Sequence, residues 1–438
     1  MARFIDQLKR THSCGQLRGT DLDNEVVLFG WVQNRRDHGG CIFIDLRDRD
    51  GVTQLVFDPE VSAEAFAIAD QARGEWVIGV RGQVRSRGGN SNPNLPTGEI
   101  EVFGLEATVF NKSQTPPFEI ADSIQTNEEK RLEYRYLDLR RPKLQKSLMT
   151  RSKLNQASRR YFSDRGFIEV ETPAMVKYTP GGARNFLVPS RVHHGSFYAL
   201  AESPQLFKQL LMVAGYDRYF QIARCFRDED LRLDRQLEFT QLDVEMSFIN
   251  QDDLFTFMEG YVFHVWKEIL GVDLTERYAG GTFPRMTFAE SMAKYGNDKP
   301  DLRFGLEHKD LTALVVEHDG GGIPMLDGIV QGFKSGQYRK DVPTEIVKAL
   351  VVPASANFSR KDLDELEKYV KSMGAAGLAR AKIGENGTWT QSPLAKNVTD
   401  AFRLAVNAAT GAQEGELILF QFGKTEQVHT VMANLRLY

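Results

Sequence analysis

A guanidinium followed at once by two carboxylates, Arg227-Asp228-Glu229, ends a stretch of strand composition. A planar guanidinium holds a carboxylate or a phosphate through two parallel hydrogen bonds, and an acid two residues on can hold Mg²⁺ or an amino group. Gln236, Phe239 and Asp243 extend the set with a donor, an aromatic plate and a second carboxylate. The same charges would also suit a solvated hairpin with internal ion pairs. A second pair, Gln205 and Lys208, stands three residues apart at the start of a candidate helix. The helix dipole favours an anionic group there, although an exposed helix face would read the same way. A third group offers Arg35, Arg36, Arg85 and Arg87 for phosphates, Phe43 and Phe57 as stacking plates, and Gln54 as a base-edge reader. That mixture suits a single-stranded loop better than a duplex, while surface arginines over core phenylalanines would give the same pattern. His193-His194 has no acid or cysteine at ligand spacing and reads as a loop feature. No Walker loop, G-x-G-x-x-G or G-x-S-x-G run is present.

These residues need elements to hold them. Strand-like runs over 26–33, 41–47, 52–57, 76–86 and 100–110, with one helical stretch over 62–73, give the order of an OB-fold barrel. Gly39-Gly40, Asp50-Gly51 and Gly88-Gly89-Asn90 supply the turns. A linker follows, and then a helical period from Pro142 to Arg165 closed by Gly166. Ser203-Pro204 reads as an N-cap and first helical residue, starting a helix that buries Leu206, Leu210 and Val213. Over 219–248, Leu242, Val244, Met246 and Phe248 alternate with Gln241, Asp243 and Glu245. This predicts two antiparallel strands joined by a charged loop much longer than a plain hairpin needs, and long ordered loops tend to hold ligands. Beyond Arg303, helices alternate with strands in the manner of a small α/β domain. Its clearest helix, 361–373, turns Leu363, Leu366, Val370 and Met373 inward.

Composition sets the frame. The 438 residues, 42% hydrophobic and 26% charged, are those of an ordinary multidomain globular chain. No apolar run is long enough to span a membrane, and the first residues carry no apolar signal core. Cys14, Cys41 and Cys225 lie too far apart for a metal site and suit free thiols in a reducing cytosol. A net charge of −4 means that any nucleic-acid binding must use local patches.

Taken in order along the chain, these segments resemble class II aminoacyl-tRNA synthetases, specifically bacterial-type aspartate–tRNA ligases. Gly30-Trp31-Val32 with Arg35-Arg36-Asp37 looks like the start of their anticodon-binding barrel, and 135–141 (RYLDLRR) like the segment before their catalytic domain. Residues 167–173 (FIEVETP) resemble motif 1, which builds a dimer interface, and 203–210 (SPQLFKQL) the aspartate-pocket helix. Cys225-Phe226-Arg227-Asp228-Glu229-Asp230, continued by Asp234-Arg235-Gln236 and Glu238-Phe239-Thr240-Gln241, is similar to motif 2.

The resemblance implies a multidomain α+β architecture. An OB-fold anticodon-binding barrel would occupy 1–110 and a hinge 111–140. The first part of an antiparallel class II catalytic domain would fill 141–303, and an α/β insertion domain 304–438. It implies that L-aspartate is activated by ATP with Mg²⁺, carried mainly on the nucleotide, and passed to tRNA(Asp) by a cytoplasmic homodimer. Arg227 would hold the α-phosphate and the substrate carboxylate. Asp228, Glu229, Gln236 and Phe239 would complete the ATP site. Gly181, Ser203, Gln205, Leu206, Phe207, Lys208 and Asp243 would line the aspartate pocket, with Lys208 on the side-chain carboxylate. Arg36, Phe43, Gln54, Arg85 and Glu101 would meet the anticodon loop. His38 and Gly89 match relatives that charge tRNA(Asn) as well as tRNA(Asp).

Some positions depart from the family pattern. Gly181 stands where many relatives carry a glutamate, and Leu237 replaces a usual proline. The chain ends at Tyr438, ahead of the family's motif 3, which leads us to expect that it forms aspartyl-adenylate poorly on its own. A lysine or asparagine ligase, or a non-catalytic RNA-binding relative, are the competing readings.

Overall fold

The computed structural model describes residues 3–178, 182–232, 234–278, 280–336 and 344–438. The chain divides into two compact units, Met1–Thr282 and Phe283–Tyr438.

The first unit opens with five strands: β1 (Glu25–His38), β2 (Cys41–Arg47), β3 (Val52–Phe57), β4 (Val77–Ser86) and β5 (Ile100–Asn111). They close into a barrel in the order β1-β2-β3-β5-β4. Alternation explains the closure. Val26, Leu28 and Val32 of β1, Ile42, Ile44 and Leu46 of β2, and Leu55 and Phe57 of β3 all point into one core. The helix Ala63–Gln71, capped by the Ser62 side chain, covers one end with Ala65 and Ala69. Gly30 is required where β1 crosses β2, because a Cβ there would lie 2.5 Å from Arg47 O. A five-stranded closed barrel with a helix between the third and fourth strands is the OB-fold.

Short helices, Glu128–Glu133 and Arg135–Asp138, lead from the barrel to the long helix Pro142–Ser163. That helix packs Tyr161 and Phe162 against Phe167, Phe220, Leu242 and Val244, with the Phe162 and Phe220 rings stacked 4.9 Å apart. Gly166, at φ 78, turns the chain into β6 (Ile168–Glu169). Three short strands, β7 (Met175–Val176), β8 (Leu187–Pro189) and β9 (Phe197–Leu200), form a side sheet in the order β7-β9-β8. The helix Gln205–Val213 precedes the antiparallel pair β10 (Arg218–Phe226) and β11 (Glu238–Met246), and β6 joins this pair in parallel. The helix Gln251–Val265 follows.

In this unit the burial expected of two segments is not found. Leu206, Leu210 and Val213 are 49%, 54% and 86% exposed rather than buried, because Lys208 takes the inward face of their helix. Phe248, expected to continue the β11 stripe, lies past the strand end at φ 57 and is exposed.

The second unit is a five-stranded antiparallel sheet. Its strands are β12 (Lys309–Asp310), β13 (Glu345–Val352), β14 (Ala379–Ile383), β15 (Trp389–Thr390) and β16 (Leu417–Lys424), in the order β12-β13-β16-β14-β15. Helices cover both faces, giving two apolar clusters. The predicted helix spans Arg360–Ser372, capped by Ser359 in a box with Asp362, and buries Leu363, Leu366 and Val370. The unit begins at Phe283 rather than at 304, and one buried lysine shows why. Lys348, on β13, donates to Met292 O at 2.6 Å and Ala293 O at 2.7 Å, fixing the helix Phe288–Tyr295 to the sheet.

Candidate functional site

In the β10–β11 ladder, directly opposed residues share a face. Tyr219 opposes Glu245, Gln221 opposes Asp243, Ala223 opposes Gln241, and Cys225 opposes Phe239. The other face carries Phe220, Leu242 and Val244 into the aromatic core. One side of the pair is therefore apolar and buried under helices, and the other is polar.

The polar face is organised around Lys208. From the helix Gln205–Val213, Lys208 Nζ reaches Asp243 Oδ1 at 3.1 Å and Glu245 Oε2 at 3.2 Å. Lys208 and Asp243 are each only 9% exposed. Burial raises the Asp243 pKa, and the Lys208 cation opposes that rise. Asp243 Oδ2 is buried with no hydrogen-bond partner, an acceptor of the kind a substrate ammonium would satisfy. Below them, Tyr219 Oη and Thr172 Oγ1 both donate to Gln221 Oε1, at 2.8 and 2.9 Å. Burial raises the Tyr219 hydroxyl well above its ordinary value, so it remains a proton donor.

Toward the end of β10, the Arg227 guanidinium stands 5.0 Å from the Phe239 ring centroid. Arg227 N donates to Leu237 O at 2.9 Å, so pairing continues past the strand, and Arg227 Nε contacts Glu202 O at 3.4 Å. Asp228 N donates to Arg184 O, holding the preceding loop beside the site. Glu229 pairs with Arg235 at 2.9 Å across the motif loop, while Asp228 and Gln236 are exposed. A cation over an aromatic plate, with a buried ammonium and carboxylates further along the same face, suits an anionic amino acid joined to a phosphorylated, aromatic-based ligand.

Arg227, Phe239 and Asp243, grouped by sequence, meet on this face with Lys208, which only the family resemblance had joined to them. Gln205 lies on the same helix but is exposed, and Phe207 is partly exposed. Leu206 is two residues from Lys208, which puts it on the far side of the helix. Ser203 does not cap; Pro204 occupies the N-cap position, with no side-chain bond. Gly181 lies outside the described residues. Tyr219 and Gln221 were missed, although their parity with Cys225 along one strand would have found them. Glu245 was placed on the polar face but not in the site. Among the described residues no three metal-ligating side chains come together. A cleft of about 720 Å³ opens next to this face, lined by Gln221 and Ala223 together with Arg151, Arg159 and Glu169. Lys208, Arg227 and Phe239 do not line it.

The barrel carries a second polar network. Gln54 Nε2 donates to Glu101 Oε2 at 2.9 Å, and Gln54 Oε1 accepts from Arg87 Nη2 at 3.0 Å and Arg36 Nη2 at 3.3 Å. Arg36 also pairs with Asp45 at 2.9 Å. Phe43 lies opposite Arg36 in the β1–β2 ladder and is partly exposed. The Arg85 guanidinium sits 4.2 Å from the Phe103 ring centroid, a plate that sequence reasoning missed. Burial raises the Glu101 carboxyl, against the pull of Gln54 and two arginines. Phe57, proposed as a stacking plate, is 1% exposed and belongs to the barrel core. His38 ends β1 beside the β1–β2 turn, and Gly89 sits in the turn after β4; both are exposed. These are the loops with which OB-folds contact oligonucleotides.

Comparison with known proteins agrees with both halves. Residues 26–110 match the family described as OB-fold nucleic acid binding domain, and residues 127–403 match tRNA synthetases class II (D, K and N). The aspartate–tRNA(Asp/Asn) ligase of Anaeromyxobacter dehalogenans (strain 2CP-C) is 63% identical over 438 residues, which is 100% of this chain and 70% of that protein. The aspartate–tRNA(Asp/Asn) ligase of Nitratidesulfovibrio vulgaris (strain Hildenborough) is 48% identical, covering 98% of this chain and 66% of that one. Among solved structures, asparaginyl-tRNA synthetase from Pyrococcus horikoshii with asparaginyl-adenylate superposes with a TM-score of 0.56 at 18% identity, covering 98% of this chain and 95% of that chain. At that identity the likeness speaks for the fold alone. The order of motifs, the barrel, the polar sheet face and these sequence matches together place the chain in the class II aminoacyl-tRNA synthetases, within the bacterial aspartate–tRNA(Asp/Asn) ligase family.

Proposed function

We propose that the polar face of β10 and β11 binds L-aspartate and ATP, joins them as aspartyl-adenylate, and passes the aspartyl group to tRNA(Asp) and tRNA(Asn). The observation that carries this reading is the buried ammonium of Lys208 between Asp243 and Glu245, on the same face as Arg227 and Phe239. Lys208 would take the substrate's side-chain carboxylate, and the free Asp243 oxygen its ammonium. Arg227 would bridge the α-carboxylate and the α-phosphate, while Phe239 stacks on adenine, with Gln205 and Gln236 at the margins. The α-carboxylate oxygen attacks the α-phosphorus and pyrophosphate leaves. A ribose hydroxyl of the tRNA end then attacks the aspartyl carbonyl and AMP leaves. The protein's part is to hold both reactants in line and to balance their charge. Mg²⁺, when bound, neutralises the polyphosphate. It would be held mainly through ATP, with Asp228 and Glu229 as the nearest acids of the motif.

The barrel network of Arg36, Phe43, Gln54, Arg85 and Glu101 would read the anticodon loop, and His38 and Gly89 would admit both tRNAs. The exposed apolar residues Ile168, Met175 and Phe197 offer surface for a homodimer. The chain would work in the cytoplasm; no described helix is long and apolar enough to cross a membrane. The test is charging of tRNA(Asp) and tRNA(Asn) transcripts by the full-length protein with labelled aspartate, asparagine or lysine. Aspartate should be attached to both tRNAs. Attachment of asparagine or lysine in its place would refute the reading.

A further inference from the structure

An ion cluster that the site does not use, with Arg47 and Glu75 buried and Arg140 partly exposed, joins the barrel to the linker. Glu75 sits in the loop entering β4, 7% exposed and at φ 63, with its N–H donating to Val32 O at 2.7 Å. Arg47, the last residue of β2 and 5% exposed, donates from Nη2 to both Glu75 oxygens at 2.9 and 2.8 Å. From the linker, Arg140 Nη1 donates to Glu75 Oε2 at 2.7 Å, and its guanidinium lies 5.0 Å from the Trp31 ring centroid. One carboxylate thus binds two cations, one from the barrel and one from the chain just ahead of the long helix. The next residue faces the other way. Arg141 donates to Asp138 Oδ1 at 3.0 Å and to Ala121 O at 3.0 Å, and Pro142 then opens the helix Pro142–Ser163. Packing leaves this junction open, since a cleft of about 440 Å³ lined by Trp31, Asn111, Gln114 and Tyr136 lies beside the ions. Exposed ion pairs hold little, but buried, multiply bonded ones fix an orientation.

We infer that Arg47, Glu75 and Arg140 form a latch that sets the direction of the barrel relative to the helix Pro142–Ser163, so that one tRNA can engage the barrel and the catalytic face together. The inference rests on the aminoacylation reading above. A tRNA held at two places is a bivalent ligand, and its second contact depends on how narrowly the geometry confines it. Releasing the latch lowers that effective concentration without touching either site. Arg140 and Glu75 are positioning residues, and Trp31, in the Gly30-Trp31-Val32 run, is the plate on which Arg140 rests.

Arg140→Met in the full-length protein leaves the Arg47–Glu75 pair in place, so the barrel keeps its own support. Binding of an isolated anticodon stem–loop and aspartate-dependent ATP–pyrophosphate exchange should stay within about twofold of wild type. Whole tRNA(Asp) should bind about tenfold more weakly, and Arg140→Lys should restore part of the loss. In the tRNA-free protein, a dye pair on the barrel and on the helix Pro142–Ser163 should show a broader distance distribution. Unchanged whole-tRNA affinity, or stem–loop binding that falls in parallel with it, would overturn the latch. Wild-type protein that binds no anticodon stem–loop would overturn the aminoacylation reading instead.

Discussion

Lys208 Nζ lies 3.1 Å from Asp243 Oδ1, with both residues nine-tenths buried, and a second carboxylate, Glu245, lies 3.2 Å from the same ammonium. Two acids on one cation leave a surplus negative charge on the sheet face, and one buried Asp243 oxygen is without a partner. That is a poor arrangement for stability alone, since a buried charge left unsatisfied is costly. It is a suitable one for a substrate that brings both an ammonium and a carboxylate.

Lys208→Met should therefore lower kcat/KM for aspartate by about a thousandfold or more, because it strands the substrate's carboxylate and two acids of the site. Lys208→Arg keeps the charge but misplaces it, and should fall between. Steady-state aspartylation, with thermal unfolding as a check on folding, distinguishes the two. Equal activity in wild type and Lys208→Met would remove Lys208 from the pocket.

Two barrel phenylalanines should behave oppositely. Phe43→Ala should weaken anticodon stem–loop binding by about 1 to 3 kcal/mol, the worth of one stacked base, with little change in unfolding temperature. Phe57→Ala should destabilise the barrel by about 3 to 5 kcal/mol through the cavity it leaves. Fluorescence anisotropy and calorimetry on both variants make the comparison, and a stable Phe57→Ala with lost binding would restore Phe57 as a plate.

His38→Leu should shift charging toward tRNA(Asp) and away from tRNA(Asn), because His38 stands beside the β1–β2 turn. The ratio of kcat/KM for the two tRNAs measures this. A ratio that does not move would take His38 out of tRNA choice.

The second unit should lose stability as the solution is made acid. His308 is held down to about 3 and His429 to about 4, in each case by burial first and then by the Lys348 cation. His308 Nε2 faces Met432 O at 3.1 Å, and Arg436 adds further positive charge. Between pH 6.5 and about 3 the unfolded chain binds a proton at His308 that the folded unit refuses. Stability therefore falls as pH drops through that window, by up to about 1.4 kcal/mol per pH unit for His308. Lys348, lowered to about 8 by burial, acts at the other end, and stability should rise between pH 8 and 10.5. Denaturant titrations followed by the fluorescence of Trp389, buried against Phe420, report on this unit. His308→Gln should flatten the acid limb; an unchanged slope would show that His308 titrates normally.

Much of this was legible in the residues. Period-two alternation gave the barrel strands and the polar and apolar faces of β11, because each face meets a different medium. Parity would also have separated Gln54 from Phe57: three apart on one strand, they point to opposite sides. The helix Gln205–Val213 misled, since its apolar stripe looks like a buried one. Two acids on a neighbouring strand draw Lys208 inward and turn Leu206, Leu210 and Val213 outward, and helix periodicity carries no record of that tertiary charge. The start of the second unit was hidden for a similar reason. It depends on Lys348 reaching two carbonyls more than fifty residues earlier in the chain. The Arg47–Glu75–Arg140 cluster likewise joins residues too distant in sequence for any local pattern to show.

The most direct test is ATP–pyrophosphate exchange by the full-length protein with aspartate, asparagine and lysine supplied separately, in wild type and in Arg227→Ala. Exchange should depend on aspartate alone and fall by about a hundredfold or more when Arg227 is removed. Exchange driven equally well by asparagine or lysine, or untouched by the loss of Arg227, would contradict the assignment of this sheet face to aspartate activation.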